Sequence, residues 1–418
     1  MSYDHQRIAV TGIGLLTSLG KGVEHTWNSL IDGKSGVSAI NRFPIDGLRT
    51  TIAATVDDFE GNTEVSCSKR TQLILNEVVD EAFRGASPDA EFAERFKSAS
   101  VYLAVPGGEV SWTDRALAEE RSKSSASNGL AEEDELAAKI SEDGLTATRW
   151  EILESKYGFR SPPVIVTTAC ASGATAIQLG CEAIRRGDAK IALAAGADST
   201  VSQEGLIRFS LLSALSRRNE HPQQASRPFD VDREGFVMGE GGAALILERE
   251  DAARERGAKI YGFVRGYGDA TDNFHRTRSN PSGERIKTCI ERALSDAKVT
   301  KNEISAVNAH GTSTPENDKM EALGLQLALG ERAKCVPISS NKSMIGHTLS
   351  AAGIVEAAIS LLSLENQALP PSINVDQVDE ALQLNVALKT DYDTELKFIL
   401  SNSFGFGGQN VSLVLERA

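Results

Sequence analysis

Cys170 stands where an apolar β-run stops and a run of small residues begins, in "VIVTTACASGATAIQLGCEAI" over positions 164–184. Val164, Ile165 and Val166 suit a buried strand, and apolar residues recur at helical spacing from Gly173 onward. The cysteine therefore falls on a strand-to-helix turn. Such a turn aims unpaired backbone N–H groups and the positive end of a helix dipole at its occupant, which favours a thiolate and predicts a pKa below that of a free thiol. Cys67, Cys181, Cys289 and Cys335 have no such setting and read as small hydrophobic side chains.

Two histidines share the setting of Cys170. His310 ends a strand-like run in "SAVNAHGTSTPENDKMEA", where Ser313 or Thr314 can cap a helix opened by Pro315, and His347 ends "SSNKSMIGHTLSAAG" before another helix of small residues. His5, His25, His221 and His275 lie in polar stretches and read as surface groups. A thiolate can take an acyl group from another thiol at little thermodynamic cost, because thioester is exchanged for thioester. Extending that acyl group requires a carbanion, and loss of CO₂ from a malonyl thioester supplies one without a strong base. The charge lands on the thioester oxygen, where two neutral imidazoles donating N–H bonds would stabilise it. No metal is needed for this, and no ligand cluster is legible in the sequence.

The elements that must hold these turns form an alternating α/β chain. Strand-like runs such as "RIAVTGIG", "SVYLAVPGG", "KIALAAGAD" and "AALILE" recur in the second half as "YGFVRGYG", "AVNAHG", "VPISSN", "KFILSNS" and "VSLVLE". The halves echo each other: "GFVMGEGGAALILERE" resembles the terminal "GFGGQNVSLVLERA", and "TTACASGATAIQLGCEAI" has a counterpart in "SMIGHTLSAAGIVEAAISLL". A duplicated unit explains this most simply. It would bring two equivalent turns, one with Cys170 and one with His347, to a shared interface. The division expected is an N-terminal half over 1–255 and a C-terminal half over 256–418. One acidic, Ser-rich segment, 111–157, breaks the pattern and reads either as a solvated excursion or as a cap over a pocket mouth.

Composition narrows the function classes. A chain of 418 residues, 41% hydrophobic, can bury a large core. Five scattered cysteines with no CxxC pair argue for a reducing compartment and against disulfides or structural zinc. The opening "MSYDHQRIAVTGIG" lacks the pattern of a signal peptide, and no apolar run approaches membrane-spanning length, so a cytoplasmic protein without a membrane span is expected. A formal charge of −14 opposes nucleic-acid binding.

Five stretches in order, "TTACASGA", "SRPFDVDREGFVMGEGGAALILE", "NAHGTSTP", "NKSMIGHTLSAAGIVEA" and "SNSFGFGGQN", make the chain resemble the β-ketoacyl-acyl-carrier-protein synthases, of the elongating type II kind with the thiolase fold. The resemblance covers nearly the whole chain. It implies duplicated βαβαβαββ halves in a five-layered αβαβα sandwich, and decarboxylative condensation of malonyl-acyl-carrier protein with an enzyme-bound acyl chain.

By the same resemblance Cys170 is the nucleophile, and His310 and His347 drive decarboxylation. Lys342 orients them, held by Glu356, while Thr312 and Thr314 bind the pantetheine arm. Phe404 is the gate whose backbone N–H completes the oxyanion hole with that of Cys170. Phe209 and Phe229 line the acyl pocket, and Lys69, Arg70, Arg217 and Arg218 are docking residues for an acyl carrier protein. No cofactor of its own is implied, since the phosphopantetheine arm arrives on the carrier, and a homodimer is implied.

Three departures concern Asn317-Asp318 where the family has Gly-Asp, Arg208 in place of a glycine, and the acidic "SEDGLTATRWEILESKYGFRSP" where a dimer-lining stretch is usual. The alternatives are a specialised synthase for very long, hydroxylated or polyketide-like chains, or a non-catalytic partner subunit. A thiolase would need a second cysteine near the C-terminus, where "SFGFGGQN" stands.

Overall fold

The computed structural model describes residues 7–57, 66–86, 89–107 and 148–418. The strands along its main sheet are β1 (Ile8–Thr17), β2 (Ser100–Ala104), β3 (Val164–Val166), β4 (Ile191–Asp198), β5 (Gly241–Arg249), β6 (Gly262–Thr271), β7 (Ala306–Asn308), β8 (Pro337–Ser339), β9 (Asn385–Val386), β10 (Phe398–Phe404) and β11 (Gln409–Glu416), with three two-residue strands beside them. They lie side by side in the order β9-β8-β7-β10-β11-β6-β1-β5-β4-β2-β3.

The order carries the duplication. Strands β1, β5 and β4 are antiparallel neighbours, continued by β2 and β3 in parallel. Strands β6, β11 and β10 repeat the antiparallel part, and β7 and β8 continue it in parallel. Residues 8–10 of β1 pair with 262–264 of β6, which joins the two sets edge to edge. Buried β-branched and alanine-rich runs suit strands covered on both faces.

The helices that cover them are α1 (Cys67–Gly85), α2 (Thr148–Tyr157), α3 (Ser172–Arg186), α4 (Gln203–Leu211), α5 (Glu284–Ala297), α6 (Pro315–Leu329), α7 (Lys342–Ile345) and α8 (Ala352–Asn366). Helix α1 packs outside β1, β4 and β5; α5, backed by α6, packs outside β6 and β11. Helices α3 and α8 lie between the two sets of strands, and α8 touches β1, β4, β5, β6, β10 and β11. The result is five layers: helix, sheet, helix, sheet, helix. Residues 349–366 are apolar enough to cross a membrane by composition, but they form the buried middle layer of this sandwich.

That middle layer exists because two glycines let α3 and α8 touch backbone to backbone. A Cβ on Gly173 would meet the Ile354 nitrogen at 2.4 Å, and one on Gly353 would meet the Ala174 nitrogen at 2.6 Å. Each helix is entered through a short 3₁₀ turn, Ala169–Ala171 and Leu349–Ala351, whose first residue has positive φ, 49° at Ala169 and 45° at Leu349. The position equivalent to Cys170 in the second half is thus Ser350, and His347 lies just before that turn.

Most of the acidic segment, 111–147, lies outside the described residues. Its remainder forms α2, which buries Trp150 and Leu153 in the outer core with Phe96 and Phe159 rather than lining the cavity described below.

Candidate active site

A cavity of about 650 Å³ runs from the surface to Cys170, His310 and His347. All three side chains are buried. Cys170 enters on the turn after β3, braced by Ser172, whose hydroxyl accepts from the Thr168 N–H at 2.8 Å and donates to the Ala169 carbonyl at 2.7 Å. His310 leaves the end of β7, and its backbone N–H and that of Gly311 both donate to the Glu321 carboxylate, at 2.9 and 2.8 Å. The short helix α7 delivers Lys342, and His347 follows it.

The geometry assigns distinct tasks. His347 Nε2 stands 3.1 Å from the Cys170 sulfur. Lys342 Nζ lies 3.4 Å from His310 Nδ1 and pairs with Glu356. An ammonium can only donate, so His310 Nδ1 accepts and the ring proton sits on Nε2. The two imidazoles meet edge to face, with centroids 5.3 Å apart. Burial, the Lys342 charge and His347 hold His310 well below its ordinary pKa, and burial and Lys342 do the same for His347. Both rings are neutral, so each has one N–H to donate and one nitrogen to accept.

The thiol departs from the expectation of a lowered pKa. Burial pushes Cys170 up to about 11, against the opposing charge of Lys342 and a backbone hydrogen bond from Phe406. Loss of hydration outweighs the turn's favourable field. Cys170 rests as a thiol, and the neutral imidazole of His347 is the proton acceptor within reach. The donor atoms of Cys170, His310 and His347 also lie within 4.8 Å of one another, so a cluster of possible metal ligands does form in three dimensions although the sequence shows none.

The remaining expected residues separate. Thr312 and Thr314 line the cavity, their hydroxyls 2.9 Å apart. Phe209 lines it with Phe236, the rings 5.3 Å apart. Phe229 does not line it: held at φ 68° and fully buried, it packs in the outer core of the second half and meets the Gly311 backbone from behind. Phe404 closes β10 with its ring against His310, 5.8 Å between centroids, but the backbone that hydrogen-bonds the Cys170 sulfur is that of Phe406. The backbone beside the nucleophile's sulfur is thus that of Phe406 rather than Phe404, because the strand ends at 404 and the following Gly-rich loop turns back over the nucleophile.

The four basic residues also divide. Arg70 is buried and bound to Glu240 at 3.0 Å and to Ser199, so it holds the core and offers no docking surface. Arg218 is half-buried and donates to the Asp232 carbonyl at 3.1 Å. Lys69 and Arg217 are exposed.

Sequence reasoning missed four contributors. Glu321, raised to about 6 by burial, holds the His310 turn. Asp198, also raised to about 6, accepts from the Ser350 N–H at 3.1 Å and so anchors the second helix entry. Phe236 packs edge-on against His347, at 5.4 Å. Asn410 lines the cavity with a buried amide nitrogen that has no partner. The stretches "SNSFGFGGQN" and "SRPFDVDREGFVMGEGGAALILE" contained Asn410 and Phe236; Glu321 and Asp198 left no sign, because their burial exists only in the fold.

Comparison with known proteins covers both halves of the chain. Residues 5–253 match the N-terminal domain of β-ketoacyl synthases and residues 261–376 match their C-terminal domain. The chain is 35% identical over 415 residues, 99% of each chain, to 3-oxoacyl-[acyl-carrier-protein] synthase 2 of Vibrio harveyi. It is 34% identical to a putative polyketide β-ketoacyl synthase 1 of Streptomyces cyaneus over 98% of both chains. A β-ketoacyl synthase structure from Burkholderia phymatum superposes with a TM-score of 0.85 at 30% identity, covering 99% of this chain and all 100% of that one. A type II polyketide ketosynthase solved in complex with its acyl-carrier protein gives a TM-score of 0.87 at 29% identity, covering 99% and 100%. With both halves matched and the cysteine and two histidines gathered at one cavity, the chain belongs to the β-ketoacyl synthase family.

Proposed function

We propose that this protein condenses an acyl chain held on Cys170 with a malonyl group delivered on an acyl carrier protein, elongating fatty acids in the cytoplasm without a cofactor of its own. The observation that carries the reading is the pairing of His347 Nε2 with the Cys170 sulfur beside a second neutral imidazole fixed by Lys342. In acyl transfer, the Cys170 S–H proton passes to His347 as the sulfur attacks the incoming thioester. It then passes to the departing carrier thiolate, so the exchange balances. In condensation, His310 Nε2–H and the His347 imidazole face the oxygen of the malonyl thioester as CO₂ leaves. The resulting enolate carbon attacks the acyl-Cys170 carbonyl, the new C–C bond forms, and the sulfur departs as thiolate, which takes one proton from solvent to return to the resting thiol.

A non-catalytic role is disfavoured by an intact nucleophile with its proton acceptor in place. The length of acyl chain is set by the cavity beside Phe209 and Phe236. Mass spectrometry of the protein after incubation with a panel of acyl carriers tests the reading: acyl adducts on Cys170 that disappear when malonyl carrier is added are expected. Label on Cys181 or Cys289, or adducts that malonyl carrier leaves intact, would sink it.

A further inference from the structure

The cavity that ends at Cys170 gathers three cations at its mouth, in a molecule that is acidic as a whole. The chain carries a formal −14, yet Arg276, Arg278 and Lys319 all line this cavity. All three are exposed, and among the described residues none forms an ion pair. Two of the cavity's three carboxylates are committed elsewhere. Asp272 accepts from the Phe274 and Asn280 N–H groups, at 3.0 and 2.7 Å, and Glu234 from the Ser216 hydroxyl and the Arg217 N–H, at 2.9 and 2.7 Å. Glu316, exposed, is the third.

The arch that presents the arginines is built, not loose. The buried Asp272 carboxylate gathers both ends of residues 272–280. The Asp272 N–H donates to the Gly408 carbonyl at 2.7 Å, and the Gly407 N–H to the Arg276 carbonyl at 2.8 Å. The arch is therefore fastened to the loop whose Phe406 backbone meets the Cys170 sulfur, which places the backbone carrying Arg276 and Arg278 at the mouth above the nucleophile. Thr312 and Thr314 line the path between.

We propose that Arg276, Arg278 and Lys319 bind the phosphate esterified to the pantetheine arm of the incoming thioester. This rests on the thioester chemistry proposed for Cys170. A thioester that reaches a buried sulfur must arrive on a slender arm, and phosphopantetheine bears its anion at the end remote from the thiol. With the thioester at Cys170, the phosphate stands at the mouth. Planar guanidinium forks match its oxygens, and unpaired cations need shed no partner to receive it. An acyl carrier protein and coenzyme A both supply this phosphate, whereas plain pantetheine does not.

The test follows Cys170 acylation by mass spectrometry with four donors: acyl-pantetheine, acyl-4′-phosphopantetheine, acyl-coenzyme A and acyl carrier protein. Wild-type protein is compared with Arg276→Gln/Arg278→Gln. Wild type should use the phosphorylated arm at least about tenfold better than the plain one, in the range expected for a charge-assisted contact. The variant should lose that preference for all three phosphorylated donors while acyl-pantetheine reacts unchanged, which also shows that it folds. Equal use of the two arms by wild type, or a preference the variant keeps, overturns the inference. Loss confined to the carrier donor also overturns it, placing the cations against the carrier's protein surface. Wild type that no donor acylates would instead refute the proposed function and this site with it.

Discussion

Replacing Lys342 by methionine isolates the ion pair beneath the site. Lys342 and Glu356 are both buried, and Glu356 Oε2 has no partner. Burial already raises the Glu356 pKa from 4.5 to about 7 even though Lys342 pulls it down, so without the ammonium it stands higher still. A carboxyl with a raised pKa makes the folded state bind more protons than the unfolded state between the two values. Stability is then greatest below the unfolded value and falls as pH rises through that window. Each pKa unit is worth about 1.4 kcal/mol. Lys342→Met should therefore lose at least roughly 3 kcal/mol of stability between pH 4.5 and 8 from this carboxyl alone, on that same scale.

Denaturant unfolding at several pH values measures the loss, with Lys342→Met/Glu356→Gln as the control that removes the titrating group. If the single and double variants have the same pH dependence, the buried-pair reasoning fails. In activity, Lys342→Met frees His310 Nδ1 from its donor, and malonyl decarboxylation should drop by about 10²-fold, comparable to losing an oxyanion-hole donor.

Three further outcomes follow from the geometry. His310→Ala should keep Cys170 acylation near wild type but lose about 10²–10³ in CO₂ release, whereas His347→Ala should impair both, since it also takes the thiol proton; labelled acyl transfer and CO₂ assays separate them, and undiminished CO₂ release in both would refute the paired-imidazole role. Alkylation of Cys170 by iodoacetamide should still be climbing at pH 9.5, because burial holds the thiol up to about 11; a plateau near neutrality would contradict that. Gly173→Ala places a methyl 2.4 Å from the Ile354 nitrogen, so α3 and α8 must separate. The expected loss is about 3 kcal/mol or more, at the upper end of overpacking costs, and a melting temperature within a degree or two of wild type would show the helices can part freely.

The chemistry and the duplicated plan were legible in the sequence because both rest on local signals. Cys170, His310 and His347 each stand at a switch from β-branched or apolar residues to a run of small ones, a change of period that needs no tertiary information. The repeat of strand motifs implied two equivalent halves, and the strand order bears this out. What the sequence could not settle depends on how far each group is from water and what it faces across the fold. The thiol at a helix entry looked acidic, but only packing shows that the turn is buried deeply enough for desolvation to prevail. Arg70 and Arg218 looked alike as basic residues on polar stretches, yet one turns inward to Glu240, 170 positions away in the chain. Phe404 and Phe406 differ by two positions in one Gly-rich stretch, and the end of β10 alone decides which backbone reaches Cys170. Asp198 and Phe236 act on the site only through contacts that the two halves create when they close on each other, and separations of this kind leave no periodic mark in a linear chain. Glu321 reaches the His310 turn from within its own half, eleven positions on, but that it is buried there is decided by packing alone.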